Sequence, residues 1–446
     1  MKLQQKAVYI LLLLASLSVN AADIQHWRTD KGARVYFIPN HSLAMLDVRV
    51  VFNAGSARDR LSGVAALSNG LLDTGAGSGA GALDANGIAE ALEDVGAQMS
   101  NAALRDMAVV SLRSLSDEQR LQPALDVLTT VLSEPSYPKA DFVREKQRLL
   151  LLGLKSQQQQ PAAVAKRAFF KALYGEHPYA DMPAGSEDSV AQIQRIHLRR
   201  FHRRYYVARN AVIALVGDVS RARAAQIAEQ ISAALPEGEA APALPSLSAL
   251  SAAQRMDVPM QTQQSHILIG QPGLKRGEPD YYDLYVGNHI LGGSGFASQL
   301  MQSIREERGL AYSVYSYFSP MQELGPFTMG MQTKNAQREQ AIALLMENLR
   351  QFIANGPTEE QLDKALKNIT GSAPLRTDSN KKLVEYLAMI GFYQLPLDYL
   401  ERFNEQVSAV TVESIKAAWQ QRIHPDKLVT VVVGGAPPAE PTAAPQ

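Results

Sequence analysis

Two segments, one near the middle of the chain and one at its end, close on the same kind of strand, and this repetition limits the fold more than any other feature. NAVIALVGD (Asn210 to Asp218) and DKLVTVVVGG (Asp426 to Gly435) are β-branched runs stopped by glycine. Each follows a helical segment carrying aromatics, IHLRRFHRRYY and IKAAWQQRI. The parallel continues upstream, where LQPALDVLTTVLSEPSYPKADFVREKQRLLLL and REQAIALLMENLRQFIANGPTEEQLDKALKNI both read as helix, proline-containing turn, helix. Between the halves, LPEGEAAPALPSLSALSAAQR is rich in Pro, Ala and Ser without periodicity, the composition of a linker over residues 235–255. The pattern predicts a duplicated α+β unit, with domains at 22–234 and 256–436.

Both ends of the chain fall outside that unit. The N-terminus, MKLQQKAVYILLLLASLSVNAADI, has two lysines, a short apolar run and a small-x-small site at Val19 and Ala21. That is the form of a cleaved secretory signal over 1–21, and the run is too short to anchor the chain in a membrane. The last residues, PPAEPTAAPQ, hold too few apolar side chains to pack and predict a disordered tail over 437–446. With 44 basic and 44 acidic residues and no basic run, nothing marks a nucleic-acid surface. Cysteine is absent, which removes disulfides, thiolate metal sites, a cysteine nucleophile and a lipid-modified N-terminal cysteine. These features together predict a soluble periplasmic protein.

The chemistry-bearing residues are conspicuous by what they omit. None of the eight histidines stands four residues from another, the spacing that would let adjacent helical turns share a metal. His197 and His202 lie five apart and point to different faces, and His177 in YGEHPYA reads as a turn histidine bonded to nearby backbone. There is no G-x-S-x-G elbow and no phosphate loop. GGSG at Gly292 to Gly295 completes no strand-to-helix G-x-G-x-x-G, and reads as a turn or a peptide-contacting loop.

One helix is odd. GVAALSNGLLDTG, Gly63 to Gly75, has an apolar stripe at Val64, Leu67 and Leu71, but its second face carries Ala66, Asn69, Gly70 and Asp73, where an exposed helix would carry Lys, Glu or Gln.

The stretch GSARDRLSGVAALSNGLLDTG resembles the active-site helix of the pitrilysin or insulinase-type zinc peptidases, the inverzincins, in which H-x-x-E-H supplies two zinc ligands and a general base. Here those positions fall on Ala66, Asn69 and Gly70. The family's third ligand, a glutamate after a motif like FVREKQRLLLLGLKSQQQQP, falls at about Leu152 when aligned on Glu145. LYGEHPYADMPAGSEDSVAQI also matches the family, and GAQMSNAALRD resembles the strand whose edge pairs with bound peptide, which implies peptide contacts at Ser100 and Asn101. The resemblance spans nearly the whole mature chain and implies two homologous α+β domains, each a mainly antiparallel sheet packed with helices. It implies no cofactor in this chain, with Ala66, Asn69, Gly70 and Leu152 left as degenerate metal-site positions.

The second half keeps what the first has lost. LGGSGFASQLMQSIREERGLAYSVYS resembles the family's glycine-rich segment, helix and R-(x)6-Y pair, with Arg305 and Tyr312 in register. In family members that pair projects into the catalytic chamber, which implies a role in holding the substrate carbonyl and the developing oxyanion, with Gly292, Gly293 and Gly295 contacting peptide. A guanidinium and a phenol aimed at a carbonyl in a water-poor chamber stabilise charge as it develops, by about 3 kcal/mol per donor. Arg305 belongs to the last turn of a helix that Gly309 can cap, and Tyr312 opens the alternating strand AYSVYSYF. The alternative is purely structural: a dipole-complementing arginine and one of several sheet-packing tyrosines.

In two-chain members one subunit carries H-x-x-E-H and the other the Arg/Tyr pair. The resemblance therefore implies a chain inactive alone, a non-catalytic subunit of an exported peptidase that completes the active site of a zinc-bearing, H-x-x-E-H-containing partner and cleaves peptides or unfolded segments. The competing reading is a peptide-binding or scaffold protein, possibly a homodimer, holding extended chains on its sheet edges. An enzyme with a displaced site finds no support in the histidine spacing.

Overall fold

A computed structural model of the chain describes residues 24–435. The expected signal peptide and tail lie outside the described residues. Among the described residues thirteen strands form two large sheets and a two-residue ribbon. The first sheet contains β1 (Gln25–Arg28), β2 (Arg34–Pro39), β3 (Met45–Phe52), β6 (Gln98–Ala103), β7 (Ala108–Leu115) and β8 (Ala211–Gly217), in the order β1-β2-β8-β3-β7-β6. The ribbon pairs β4 (Gly75–Ala76) with β5 (Leu83–Asp84). The second sheet contains β9 (Gln254–Val258), β10 (Gln264–Leu274), β11 (Ser313–Phe318), β12 (Gly325–Lys334) and β13 (Val429–Val433), in the order β11-β12-β10-β13-β9.

The repetition in the sequence is a repetition of topology. β2 runs parallel to β8 as β9 does to β13, and every other pairing in the two large sheets is antiparallel. Reading β2-β8-β3-β7-β6 against β9-β13-β10-β12-β11 matches the halves strand for strand, with β1 the first sheet's addition. The architecture is α+β with mainly antiparallel sheets.

The two halves are interlocked rather than strung side by side. Each sheet buries one face under helices of its own half, in cores that include Phe37, Val50, Leu125 and Leu128 in the first and Ile269, Leu345, Phe327 and Trp419 in the second. The opposite face is covered by a helix from the other half. Leu383, Val384, Leu387 and Ile390 of the helix Asn380–Tyr393 pack on Tyr36, Val212, Ala214 and Val216 of the first sheet. Reciprocally, Phe169, Phe170 and Leu173 of the helix Pro161–Tyr174 pack with Val429, Val431 and Val433 of the second. Covered on both faces, β8 is buried at every residue, which is why AVIALVG reads as a continuous apolar run instead of an alternation.

Asp106 joins the halves in one place. Buried after β6, its carboxylate accepts hydrogen bonds from the Tyr179 hydroxyl, the Gln322 backbone N–H (2.8 Å) and the Tyr393 hydroxyl (3.0 Å). The segment between the last helix of the first half, Arg221–Ala234, and β9 has no helix or strand, yet it is tied down: the Pro245 carbonyl bonds His177 Nε2 (2.9 Å), and Leu244 is buried.

Candidate functional site

The helix Val64–Gly70 packs against β6 and the helix Arg195–Tyr205. Its start is held by Asp59, whose carboxylate accepts from the backbone N–H groups of Gly63 and Ala65, both at 2.8 Å. Desolvation, stronger than those bonds, pushes the Asp59 carboxyl up to about 7. Gly63 takes φ +101°, a left-handed conformation that favours glycine, and a Cβ there would press on the Ala184 carbonyl.

The small face expected at Ala66, Asn69 and Gly70 divides in two. Ala66 is half-buried and Gly70 exposed, with nothing within 4 Å of where a Cβ would lie. Asn69 turns inward. It is 1% exposed, and its Nδ2 donates to the Val109 carbonyl (3.3 Å) and the Tyr206 hydroxyl (3.2 Å). Its amide nitrogen therefore ties the helix to the sheet and to the neighbouring helix, and does not line an open chamber; periodicity placed it on a shared face but could not show which neighbours that face meets. Leu152 lies in the π-helical segment Leu149–Leu154 and is 74% exposed. The side chains at these positions offer methyl, carboxamide, hydrogen and isobutyl groups, of which the carboxamide is already committed, so they do not fit a zinc ion. Among the described residues no group of three or more His, Cys, Asp or Glu side chains could hold a metal.

A second carboxylate near this helix, like Asp59 given no role by the sequence, is Asp73. Its carboxyl is pushed up by burial first and also by the nearby Glu145 charge, with Asn101 of β6 acting in the opposite direction. Ser100, its neighbour on the strand, is exposed, and β6 is an edge strand of its sheet.

The three histidines considered above, His177, His197 and His202, behave as structural groups. His177 Nδ1 accepts from the Tyr179 N–H (3.1 Å), and burial lowers its pKa. His202 is buried, its Nε2 bonds the Leu132 carbonyl at 2.9 Å, and desolvation lowers it to about 4. His197 caps its helix through a bond from the Gln194 N–H.

In the second half, Arg305 lies in the π-helical segment Met301–Glu306. That segment is closed by Gly309 at φ +60°, whose N–H donates to the Arg305 carbonyl (2.9 Å), while Leu310 N–H reaches the Ile304 carbonyl (2.9 Å). Tyr312 directly precedes β11. The structure brings the pair together: the guanidinium carbon is 5.4 Å from the Tyr312 ring centroid. It adds a residue that sequence reading did not single out, Phe296, whose ring centroid is 4.7 Å from the same carbon. Phe296 and Tyr312 are 68% and 78% exposed, so the arginine lies over two aromatic rings open to solvent. The signal for Phe296 was present as the one aromatic side chain inside GGSGFAS. Along exposed edge strand β11, Tyr315 and Tyr317 stack at 5.8 Å.

The glycines before this segment have a packing reason for their identity. A Cβ at Gly292 would lie 2.4 Å from Ser316 Oγ and 2.6 Å from Ser316 N, and one at Gly293 would lie 2.8 Å from Asn288 Nδ2. Asn288 and Ser316 are themselves locked by two hydrogen bonds, Nδ2 to the Ser316 carbonyl (3.1 Å) and Ser316 Oγ to Asn288 Oδ1 (2.8 Å). Gly295, by contrast, has φ +60° and open space.

Comparison with known proteins bears on the family and the fold. A family model described as the peptidase M16 inactive domain matches residues 192–369. A crystal structure of a peptidase M16 inactive domain from Pseudomonas fluorescens is 40% identical, covers 94% of this chain and 99% of its own, and superposes with a TM-score of 0.89. An uncharacterized zinc protease, YmxG of Bacillus subtilis, is 24% identical over 416 residues, 92% of this chain and 98% of that one. A non-peptidase homolog, YmxG of Helicobacter pylori, is 25% identical over 419 residues, 92% of this chain and 94% of that one.

Proposed function

The chain belongs to the M16 peptidase family as an inactive member, and from that premise we propose that it is the non-catalytic subunit of an exported zinc-dependent peptidase, lending Arg305 and Tyr312 to the active site of a homologous subunit that carries H-x-x-E-H. The observation that carries this reading is the asymmetry between the two halves. The metal-site positions hold Ala66, Asn69, Gly70 and Leu152, while Arg305 and Tyr312 stand adjacent, with the guanidinium close to two exposed aromatic rings. A structural pair would be expected to be buried or bonded to its surroundings; among the described residues no carboxylate pairs with Arg305.

The role of this chain's own groups follows from their chemistry. The guanidinium is permanently charged and donates through a rigid fork; the phenol adds one neutral donor. Aimed at a scissile carbonyl held by the partner, they favour the tetrahedral oxyanion over the ground-state carbonyl, which is the difference that accelerates reaction. Zinc belongs to the partner in this reading. Peptide is held in extended form in this reading, with the edges of β6, which carries Ser100 and Asn101, and of β11 offering unpaired backbone groups.

Localisation in the periplasm rests on the N-terminal signal pattern. Among the described residues no helix is long and apolar enough to cross a membrane. A second reading, a peptide-holding protein without a peptidase partner, draws on the same free edges at β6 and β11. The two separate on mixing: the purified mature chain is combined with the H-x-x-E-H-bearing homolog from the same source and assayed on an unstructured peptide. Activity well above that of either chain alone supports the subunit reading, and unchanged activity of the homolog with peptide bound to this chain supports the second.

A further inference from the structure

Away from both sites, where the helix Asn380–Tyr393 leaves the second half to cover the first sheet, a cavity of about 750 Å³ opens beside Arg276, Tyr281, Arg376, Met389 and Phe403. That volume is in the range of small-molecule sites. Its chemistry is lopsided. The Arg276 guanidinium faces the rings of Tyr281 and Tyr393, 5.8 and 5.6 Å from its carbon, and its Nε is buried with no hydrogen-bond partner. The Arg376 guanidinium lies 4.5 Å from the Phe403 ring centroid and donates to the Tyr285 hydroxyl. Among the described residues neither arginine is paired with a carboxylate. The one acidic side chain lining the cavity, Glu401, is exposed.

Cation–π contact compensates a guanidinium only in part, and a buried donor left unbonded is costly. Two unpaired arginines against one carboxylate leave the cavity one negative charge short. Apart from Thr377 and Asn404 the remaining walls are aromatic and aliphatic, and Tyr281 lies within the field of both arginines. We propose that this cavity binds a ligand with a single carboxylate on an apolar or aromatic body, the carboxylate meeting Arg276 and Arg376 and the body lying against Phe403 and Met389. Two sources share that chemistry, the C-terminal residue of a peptide and a free small acid. This site does not depend on the proposed peptidase role.

The test is calorimetric titration of the full mature chain with N-acetyl-L-phenylalanine and 4-phenylbutyrate, each beside its uncharged amide. At least one acid should bind saturably, its amide at least tenfold more weakly, and Arg276→Met should weaken the acid by a similar factor. Thr377→Trp, which adds bulk at the cavity lining and leaves both arginines in place, should also block binding, so the test survives if Arg276→Met fails to fold. Binding of the peptide-like acid alone assigns a peptide C-terminus; binding of 4-phenylbutyrate, alone or with the other, assigns a small acid. No saturable binding of either acid at millimolar concentration, or acid and amide binding equally, overturns the proposal.

Discussion

The guanidinium carbon of Arg305 stands 5.4 Å from the centroid of the Tyr312 ring and 4.7 Å from that of Phe296. The stack fixes where a long, otherwise mobile side chain points while leaving its donors free, which is the arrangement an oxyanion donor needs. Arg305→Ala or Tyr312→Phe should leave assembly with the partner intact and lower turnover of the complex by roughly 10². Phe296→Ala, which removes only the support, should cost less. Size-exclusion chromatography and steady-state kinetics on the reconstituted complex check both parts, and unchanged turnover in all three variants would return these residues to a structural role.

Zinc content is a second expectation. With Ala66, Gly70 and Leu152 at the ligand positions, the purified mature chain should retain far less than one zinc per chain after dialysis. Elemental analysis reads this directly, and a stoichiometric metal would mean a site outside the family's positions.

The glycines should separate into structural and permissive. Gly292→Ala forces a Cβ to within 2.6 Å of backbone and should destabilise the chain by about 1–3 kcal/mol or more. Gly70→Ala meets nothing and should leave stability unchanged or raise it by up to about 1 kcal/mol. Denaturant unfolding of the two variants tests the contrast.

Two groups should give opposite pH dependences over the same range. Asp59 has its pKa raised to about 7, so the folded state holds the proton more tightly and Asp59 lowers stability as pH rises from about 4 to 7. His202 has its pKa lowered to about 4, so the unfolded state holds the proton more tightly and His202 lowers stability as pH falls from about 6.5 to 4. In the unmodified chain the two slopes oppose each other. Relative to it, Asp59→Asn should tilt the profile so that stability rises with pH, and His202→Phe should tilt it the other way, each by at most about 1.4 kcal/mol per pH unit. Thermal unfolding across pH 4.5–7 checks the signs; parallel profiles for all three proteins would contradict the assignment.

Much of this was legible from residues alone, for identifiable reasons. The β-branched runs ending in Gly217 and Gly434 announced β8 and β13, and the repeated helix–turn–helix segments announced a duplication that proved to be matched strand for strand. The adjacency of Arg305 and Tyr312 followed from a helix ended by Gly309 and a strand begun directly after. What stayed hidden depends on long-range packing. A 3.6-residue period shows that the helices Pro161–Tyr174 and Asn380–Tyr393 have apolar faces, but not that each covers the other half's sheet. The same blindness put Asn69 on a common face with Gly70, when its carboxamide is committed to Val109 and Tyr206. The π-helical turns at Leu149–Leu154 and Met301–Glu306 carry no local sign that distinguishes them from α-helix. Phe296 gained its place beside Arg305 only from the fold around the glycine-rich turn.

The most direct test of the central proposal is capture of the tagged mature chain from native periplasmic extract, with the eluate assayed for cleavage of an unstructured peptide in the presence and absence of a zinc chelator. The expected result is chelator-sensitive cleavage that travels with a second chain bearing H-x-x-E-H. An inactive eluate holding this protein alone would contradict it.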